Sequence, residues 1–252
     1  NPGAVIVDIT HQVPPQDVLH GSYCVGSVYR YFPDYTIHVV VVDPGVGTGR
    51  DPVLMVTPMG LFVAPDNGIL GYVLDDLDPG GLSGMGSMFE ICGRPVPESC
   101  RVYKLSDRRW WLSEVSQTFH GRDIFAPVAA RLSRGLSPSS VGDEMDSIRG
   151  IRLPKPRLVK PGELTGQIIH IDRFGNLITN IREEDLPDTP MFRVGGSEIS
   201  GLSSSYEGGG GLLAIIGSSG GIEIAFMGNS AEKILDAQLG DEVIVLAKSN
   251  LN

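Results

Sequence analysis

The sequence predicts two domains, an α/β domain with a mostly parallel sheet followed by a small β-barrel. Residues 36–42, TIHVVVV, are almost continuously apolar and β-branched, as in a strand covered on both faces of a parallel sheet. Amphipathic helical patterns lie on both sides of this run, and strand–helix–strand order is typical of layered α/β domains. Beyond residue 163, short β-type runs alternate with glycine turns, as in a small barrel or sandwich.

The elements of the first domain follow from hydrophobic periodicity and from turn residues. In chain order we predict a buried strand at residues 3–9, a helix at 17–32 that Pro33 ends, a strand at 36–42, a hairpin around Met59-Gly60, a short helix at 68–77, and a loop that leads into a helix at 119–135. In the second domain, residues 230–238 form the one predicted short helix.

Composition shifts set the domain boundaries. We predict an α/β domain at residues 1–151, a linker at 152–163, and a β-barrel domain at 164–252. The linker has three prolines and four basic residues. Between about residues 79 and 110 the pattern weakens to glycine, serine, proline and two cysteines, which indicates a surface insertion without assigned chemistry.

The overall charge argues against nucleic acid or an anionic membrane as the main partner. The formal net charge is -10, and no basic cluster stands out. No apolar run approaches the roughly 20 residues of a membrane-spanning helix. The three cysteines are scattered; a disulfide between Cys92 and Cys100 is one alternative, but free thiols in a reducing cytoplasm are the preferred interpretation.

The turn after the strand at 36–42 is similar to a dinucleotide-binding fingerprint, but its context differs. Glycines stand at positions 45, 47 and 49. A phosphate-binding turn of that kind must open a helix, whose N-terminal amides hold the pyrophosphate. Here the chain continues through Arg50 into a second strand-like run. The turn therefore places a carboxylate, Asp43, and a guanidinium, Arg50, at one loop for another purpose.

Asp43, Arg50 and His120 form the first candidate site. His120 precedes Gly121 where a loop enters a helix, and such loop positions often carry functional residues. The alternative is purely structural, because Asp is a common turn residue before proline and Arg50 would then be a surface charge.

The second domain contains three further patterns. His170 and Asp172 alternate along a strand and point to one face, as metal ligands can, but a third ligand at a recognisable spacing is missing and we assign no metal. The DRFGN stretch at 172–176 suits either a hairpin turn or a ligand site with a stacking Phe174. The GSSG stretch at 217–220 suits either a turn or a backbone nest for a carboxylate.

Six segments are specific when they are taken together and in this order: VDITHQVPPQDV, YFPDYTIHVVVVDPGVGTGR, VAPDNGIL, TFHGRDIFAPVAA, IDRFGNLITNI and GSSGGIEIA. Through them the chain resembles the S-adenosyl-L-methionine (SAM) hydroxide adenosyltransferase family, relatives of the fluorinases and chlorinases. The resemblance extends over nearly the whole length except about residues 79–110.

The resemblance implies a fold, an assembly and a reaction. Members have an N-terminal α/β domain, a C-terminal β-barrel and a homotrimer with active sites between subunits. They cleave SAM to adenosine and methionine with water at the ribose C5′, and SAM is the substrate, so no cofactor is implied. The family's Asp-Arg-His triad corresponds to Asp43, Arg50 and His120 here.

The resemblance also implies substrate contacts. Asp172, Phe174 and Asn176 are expected to contact the nucleoside or the methionine amine, and Ser218 and Ser219 the methionine carboxylate. The region from Glu223 to Asn229 is expected near the adenine, and Asn67 and Phe119 complete the implied set. The family begins with a strand whose aspartate binds the ribose hydroxyls; either that segment lies upstream of Asn1, or ribose binding is impaired.

Three other functions compete with hydrolysis. The first is halogenation. In the halogenase relatives, a pair of hydroxyl-bearing residues occupies the position of His120-Gly121, and an aromatic residue occupies the position of Asp43. The negative charge of Asp43 would repel a halide ion, so hydrolysis is preferred. A nucleoside-binding module without turnover is the second alternative. A metal-dependent hydrolase is the third.

Overall fold

The computed structural model describes residues 1–82, 86–206 and 211–247. Within it the chain forms two compact units, Asn1–Arg152 and Leu153–Asn252. The α-helices are α1 (Val18–Val28), α2 (Gly71–Leu77), α3 (Ala126–Leu132) and α4 (Ala231–Leu235), and a π-helical turn at Gly121–Phe125 runs directly into α3.

The strands of the first unit are β1 (Thr36–Val39), β2 (Pro52–Val56), β3 (Gly60–Pro65), β4 (Ile91–Pro95), β5 (Arg101–Lys104), β6 (Glu144–Met145) and β7 (Ser147–Ile151). Those of the second are β8 (Arg157–Lys160), β9 (Glu163–Ile171), β10 (Leu177–Arg182), β11 (Pro190–Val194), β12 (Ser197–Ser200), β13 (Leu212–Ile216), β14 (Gly221–Phe226) and β15 (Glu242–Ala247).

The main sheet of the first unit is mixed. Its strand order is β1-β3-β2-β5-β6, and β4 pairs separately with β7. The β1–β3 pairing is parallel, whereas β2–β3, β2–β5 and β5–β6 are antiparallel. The α/β class and the hairpin around Met59-Gly60 are confirmed. The described strands do not form the mostly parallel sheet that the apolar run suggested, because β3 returns antiparallel to β2 after a tight turn and β5 and β6 also pair antiparallel.

Helices cover both faces of this sheet. Along β2, Val53 and Met55 belong to a core cluster that also contains Val25 of α1 and Val73 of α2. Leu54, which points to the opposite face, belongs to a cluster that contains Phe125 and the buried residues of α3. Alternate residues of one strand thus lie in different cores, which explains why the strand sequence is apolar without interruption.

The predicted buried strand at residues 3–9 is wrong for the described structure. These residues have no regular secondary structure and are exposed, Val5 and Ile6 almost fully, and they belong to none of the described sheets. A β-branched run becomes a strand only when a neighbouring backbone pairs with it. The weakly patterned region 79–110, by contrast, contains β5, which pairs with β2 inside the main sheet.

The second unit is an antiparallel, nearly closed, barrel-like sheet in the order β12-β11-β15-β9-β10-β14-β13, with β8 also paired to β9. The two ends of this order approach each other, since the amide of Ser203, just after β12, donates to the carbonyl of Ala214 on β13 at 2.8 Å. The core contains Ile168, Phe192, Ile224 and Val243. Arg157–Lys160, inside the predicted linker, is strand β8.

All three cysteines are free thiols, so Cys92 and Cys100 are not bonded to each other. No helix among the described residues is both long and apolar enough to cross a membrane.

Candidate active site

The glycine turn begins where β1 ends and carries Asp43 toward Arg50. The amide of Val40 still donates to Val63 at 3.0 Å, so the chain follows β3 beyond the last residue of β1. The side chain of Asn67 then donates to the carbonyl of Val42 at 2.8 Å and accepts from the amide of Ile69 at 3.2 Å. Asn67, predicted to bind substrate, thus holds the backbone next to Asp43, and its contact with substrate stays a prediction.

Asp43 and Arg50 form a two-pronged ion pair. Arg50 Nε donates to Asp43 Oδ1 at 2.9 Å, and Arg50 Nη2 donates to Asp43 Oδ2. The two side chains are only 6% and 8% exposed. Two parallel, charge-assisted hydrogen bonds fix the planar guanidinium in one orientation. The ring of Phe125 adds a cation–π contact, with its centroid 5.4 Å from Arg50 Cζ.

His120 is joined to this pair through Arg50. Its Nδ1 lies 2.9 Å from Arg50 Nη2. A guanidinium has donors only, so Nδ1 accepts and a neutral imidazole must carry its proton on Nε2. No described residue accepts from Nη1 of Arg50, whose two N–H groups are therefore available to a ligand. Sequence positions 43, 50 and 120 thus meet in one hydrogen-bonded row.

A π-helical turn presents His120. His120 immediately precedes Gly121–Phe125, and the amide of Ala126 donates to the carbonyl of Gly121, five residues earlier. Pro127 has no N–H, so it cannot donate to the carbonyl of Asp123 four residues earlier. That carbonyl accepts from the amide of Leu112 at 2.9 Å instead. Such π turns are frequent at functional sites.

One glycine of the turn, Gly47, packs so closely against the neighbouring loop that no side chain fits there. Gly47 has a φ of +75°, and a Cβ there would lie 2.5 Å from the carbonyl oxygen of Gln117. The loop that leads to His120 is therefore seated directly on the turn that carries Asp43 and Arg50. Phe119, in that loop, is 54% exposed and lies under the guanidinium of Arg122, 4.8 Å from ring centroid to Cζ.

In the second unit, DRFGN forms a tight turn around the Asp172 carboxylate. Oδ1 accepts from the amides of Phe174 and Asn176 at 2.8 and 2.9 Å, and Oδ2 accepts from the Asn176 side chain at 2.9 Å. Gly175 has a φ of +81° and packs against Ser230, which leaves no room for a side chain. Phe174 is 77% exposed, so its ring is accessible for stacking.

Glu223, on β14, lies in the same neighbourhood as Asp172. Burial raises the pKa of Glu223, and the negative charge of Asp172 raises it further. Glu223 folds over the GSSG turn, where it packs against Gly217, and its Oε2 accepts from the Tyr206 hydroxyl at 3.1 Å. Burial raises the pKa of Tyr206, and the negative charge of Glu223 raises it further.

The remaining predicted residues have local roles in the structure. Ser218 and Ser219 occupy the turn between β13 and β14, which the Gly217 and Gly221 backbones close at 2.8 Å. The Asn229 side chain accepts from the amide of Ser230 at 2.8 Å. Their contacts with substrate stay predictions.

Sequence reasoning missed three side chains that the fold brings to these clusters. Phe125 lies under Arg50, Asp123 holds the His120 loop, and Tyr206 binds Glu223. The FHGRDIF motif contained the first two, but nothing in it identified their partners. In the ranges that the structure describes, no group of three or more His, Cys, Asp or Glu is placed to hold a metal ion.

The comparisons with known proteins agree on one family. Residues 1–142 match the SAM hydroxide adenosyltransferase N-terminal domain, and residues 166–244 match the corresponding C-terminal domain. A relative named (R)-S-adenosyl-L-methionine hydrolase, from Salinispora arenicola, is 35% identical over 98% of this chain and 88% of its own length.

Two further comparisons give the range of the similarity. The crystal structure of an uncharacterized conserved protein from Thermotoga maritima has a TM-score of 0.81 at 34% identity, and covers 98% of this chain and 90% of that one. A fluorinase from Actinoplanes sp. is 27% identical over 73% of this chain and 64% of its own length. The two domain matches cover both structural units, and the chain therefore belongs to the SAM hydroxide adenosyltransferase family.

Proposed function

We propose that the protein hydrolyses SAM to adenosine and L-methionine by attack of water or hydroxide on the ribose C5′. The observation that carries the proposal is the partly buried row of hydrogen bonds in which Arg50 bridges Asp43 and His120. Family membership and the hydrolase name of the Salinispora relative support the same reaction.

The chemistry suits such a site. The sulfonium of SAM leaves as a neutral thioether, so the leaving group needs no proton. The reaction converts SAM and water into adenosine, methionine and a proton, and the difficult step is to make water nucleophilic. A preorganised, partly desolvated cation lowers the cost of hydroxide, and alignment of the oxygen with the C5′–S bond supplies further rate enhancement.

We assign a role to each member of the row. The Arg50 guanidinium stabilises the negative charge that develops on the attacking oxygen. Asp43 holds the guanidinium in place and accepts the proton of water through a remaining lone pair of its carboxylate. His120, with its proton on Nε2, donates a hydrogen bond that orients the oxygen.

The second unit supplies the proposed recognition of the charged parts of SAM. Asp172 and Glu223 provide negative charge for the methionine ammonium or the adenine amino group, Phe174 provides a stacking face, and Asn176 a polar contact. Ser218 and Ser219 are proposed to bind the carboxylate, and Asn229 the adenine region. We further propose a homotrimeric active form and a cytoplasmic location, the latter supported by the free cysteines.

We propose that the reaction needs no metal, because Arg50 supplies the positive charge that a metal would otherwise supply to the attacking oxygen. Turnover should therefore persist after dialysis against EDTA. Loss of turnover that added metal restores would contradict this proposal.

Isotopically labelled water tests the reaction directly. Incubation of SAM in H₂¹⁸O should give one labelled oxygen in adenosine, at the 5′-hydroxyl, together with unlabelled methionine. Formation of halogenated adenosine when chloride or fluoride is added would favour the halogenase alternative. Tight binding of SAM without products would favour a binding protein.

A further inference from the structure

The carboxylate of Asp123, three residues after His120, is buried and fully engaged. Its side chain is 0% exposed. Oδ1 accepts from Arg122 Nε at 2.6 Å, and Oδ2 accepts from Arg122 Nη2 at 3.2 Å and from the amide of Ser116 at 2.8 Å. The bonds from Arg122 hold the pKa of Asp123 well below its ordinary value, so the group is a carboxylate at neutral pH.

The backbone of Asp123 bonds to both ends of the loop formed by residues 112–119, which contains Ser116. Its carbonyl accepts from the amide of Leu112 at 2.9 Å, and its amide donates to the carbonyl of Phe119 at 3.1 Å. With the bond to Ser116, one residue thus contacts the start, the middle and the end of residues 112–119. The amide of Phe119 also donates to Ser116 Oγ at 3.0 Å, which closes the loop on itself.

The opposite side of this loop lies on the glycine turn. The carbonyl of Gln117 packs against Gly47, between Asp43 and Arg50 in sequence. The next residue after the loop, His120, bonds to Arg50 at 2.9 Å. Residues 112–119 therefore lie between Asp123 on one side and the glycine turn that carries Asp43 and Arg50 on the other.

We propose that Asp123 is a positioning residue for the reaction, which acts through the loop 112–119 to hold the His120 imidazole against Arg50. The expected change in kcat rests on the proposed function. The expected change in the position of the His120 imidazole rests on this geometry alone. The competing account is that Asp123 and Arg122 form an ion pair that stabilises the fold and has no bearing on His120.

Asp123→Asn is the sharpest variant, because it keeps the size of the side chain and removes the charge. An amide can still accept from Ser116 but cannot satisfy both Arg122 and Ser116 as a carboxylate does. A displacement of catalytic groups by about 1 Å costs on the order of 100-fold in rate. We expect kcat to fall roughly 10- to 100-fold, with KM within about threefold of the parent.

A matched control lies nearby. Asp107 accepts from the amide of Arg109 at 3.1 Å and pairs with the Arg109 side chain, as Asp123 pairs with Arg122, but its described side-chain bonds do not involve residues 112–119. Asp107→Asn should leave kcat within about twofold of the parent.

A double variant that combines Asp123→Asn with His120→Ala distinguishes a positioning role of Asp123 from a purely stabilising one. If Asp123 acts through His120, Asp123→Asn should change kcat less than about twofold in the His120→Ala background, since residues that act as a unit are non-additive. A full, additive loss of kcat in that background would overturn the proposal, as would an unchanged kcat in the single variant.

Nitrogen NMR of the imidazoles tests the geometry without substrate. The protein has five histidines, and His120→Ala assigns the signal of interest. In the parent, His120 should show the tautomer with its proton on Nε2; Asp123→Asn should shift it toward a mixture, and Asp107→Asn should not. A parent that shows this tautomer but never turns over SAM would contradict the proposed function and leave the positioning role supported.

A second variant covers the case in which Asp123→Asn does not fold. Ser116→Ala removes the acceptor for the Phe119 amide and the side-chain hydrogen bond from Ser116 to Asp123, and it keeps the carboxylate with its bonds from Arg122. It should lower kcat severalfold and shift the His120 signal in the same direction. An unchanged signal and kcat would overturn the role of the loop.

Discussion

At the residue scale, the Asp43 carboxylate holds Arg50 through two hydrogen bonds, and we propose that it also accepts a proton from water. Asp43→Asn should preserve the turn, since Asn is also a good turn residue, but it puts an amide NH₂ against the guanidinium. We expect turnover to fall by about two to four orders of magnitude while SAM still binds, measured as single-turnover rates at saturating SAM.

His120→Ala should lose a similar factor, and the double variant little more, because the two residues act through one guanidinium. Asp51→Asn is the control: Asp51 is adjacent to Arg50 but pairs with Lys104 at 2.6 Å. A turnover rate for Asp43→Asn within a few-fold of the parent would end the catalytic assignment.

His38, a buried residue outside the site, is expected to make the stability of the fold depend on pH. It is 4% exposed, stacks on Phe62 at 4.7 Å and meets the edge of Phe32 at 5.4 Å, and its Nε2 has no hydrogen-bond partner. Burial lowers its pKa in the folded state. The unfolded chain, with the ordinary value of about 6.5, binds more protons, so the free energy of unfolding should fall as the pH drops through 6.5.

His38→Phe keeps a flat ring and removes the titrating group and the unpaired nitrogen. At pH 7.5 it should stabilise the fold by about 1 kcal/mol, and between pH 7.5 and 5.5 it should lose less stability than the parent in urea titrations. Equal slopes for parent and His38→Phe would show that the acid sensitivity arises elsewhere.

At the scale of elements, the glycine turn that follows β1 packs against the loop that leads to His120. Gly47→Ala forces a Cβ to within 2.5 Å of the Gln117 carbonyl at a φ of +75°. We expect a loss of about 1–3 kcal/mol in unfolding free energy and a fall in kcat of roughly 10- to 100-fold, because the loop must move away from the turn.

Gly49→Ala provides the comparison within the same turn. A Cβ at Gly49 would meet no atom within 4 Å. That variant should keep both stability and kcat near the parent values, as measured by urea unfolding and steady-state rates. Equal effects at both glycines would mean that general turn flexibility, and not the contact with Gln117, is responsible.

At the scale of the whole molecule, we predict a homotrimer as the active form, on the strength of the family resemblance. Light scattering coupled to size exclusion should give three times the mass of the chain. On dilution, activity per chain should fall together with the trimer fraction. A stable monomer with full activity would contradict the proposal.

The sequence by itself determined the class of most elements and the candidate row. The β2–β3 hairpin, α1, α2, α4 and the helix after His120 follow from local periodicity and turn residues, which act over a few residues and so can be recognised without the fold. Asp43, Arg50 and His120 stood out because they lie in specific motifs, and the structure places them in one row of hydrogen bonds.

The tertiary structure decided what depends on partners distant in sequence. Pairing of backbones decides whether an apolar run becomes a strand, so residues 3–9 are exposed while the weakly patterned Arg101–Lys104 lies inside the sheet. The roles of Asp123 and Tyr206 likewise depend on the groups that face them, Ser116 and Glu223. A carboxylate or a phenol has the same letter in a sequence whether it is solvated or buried, and only the fold supplies the neighbours that set its chemistry.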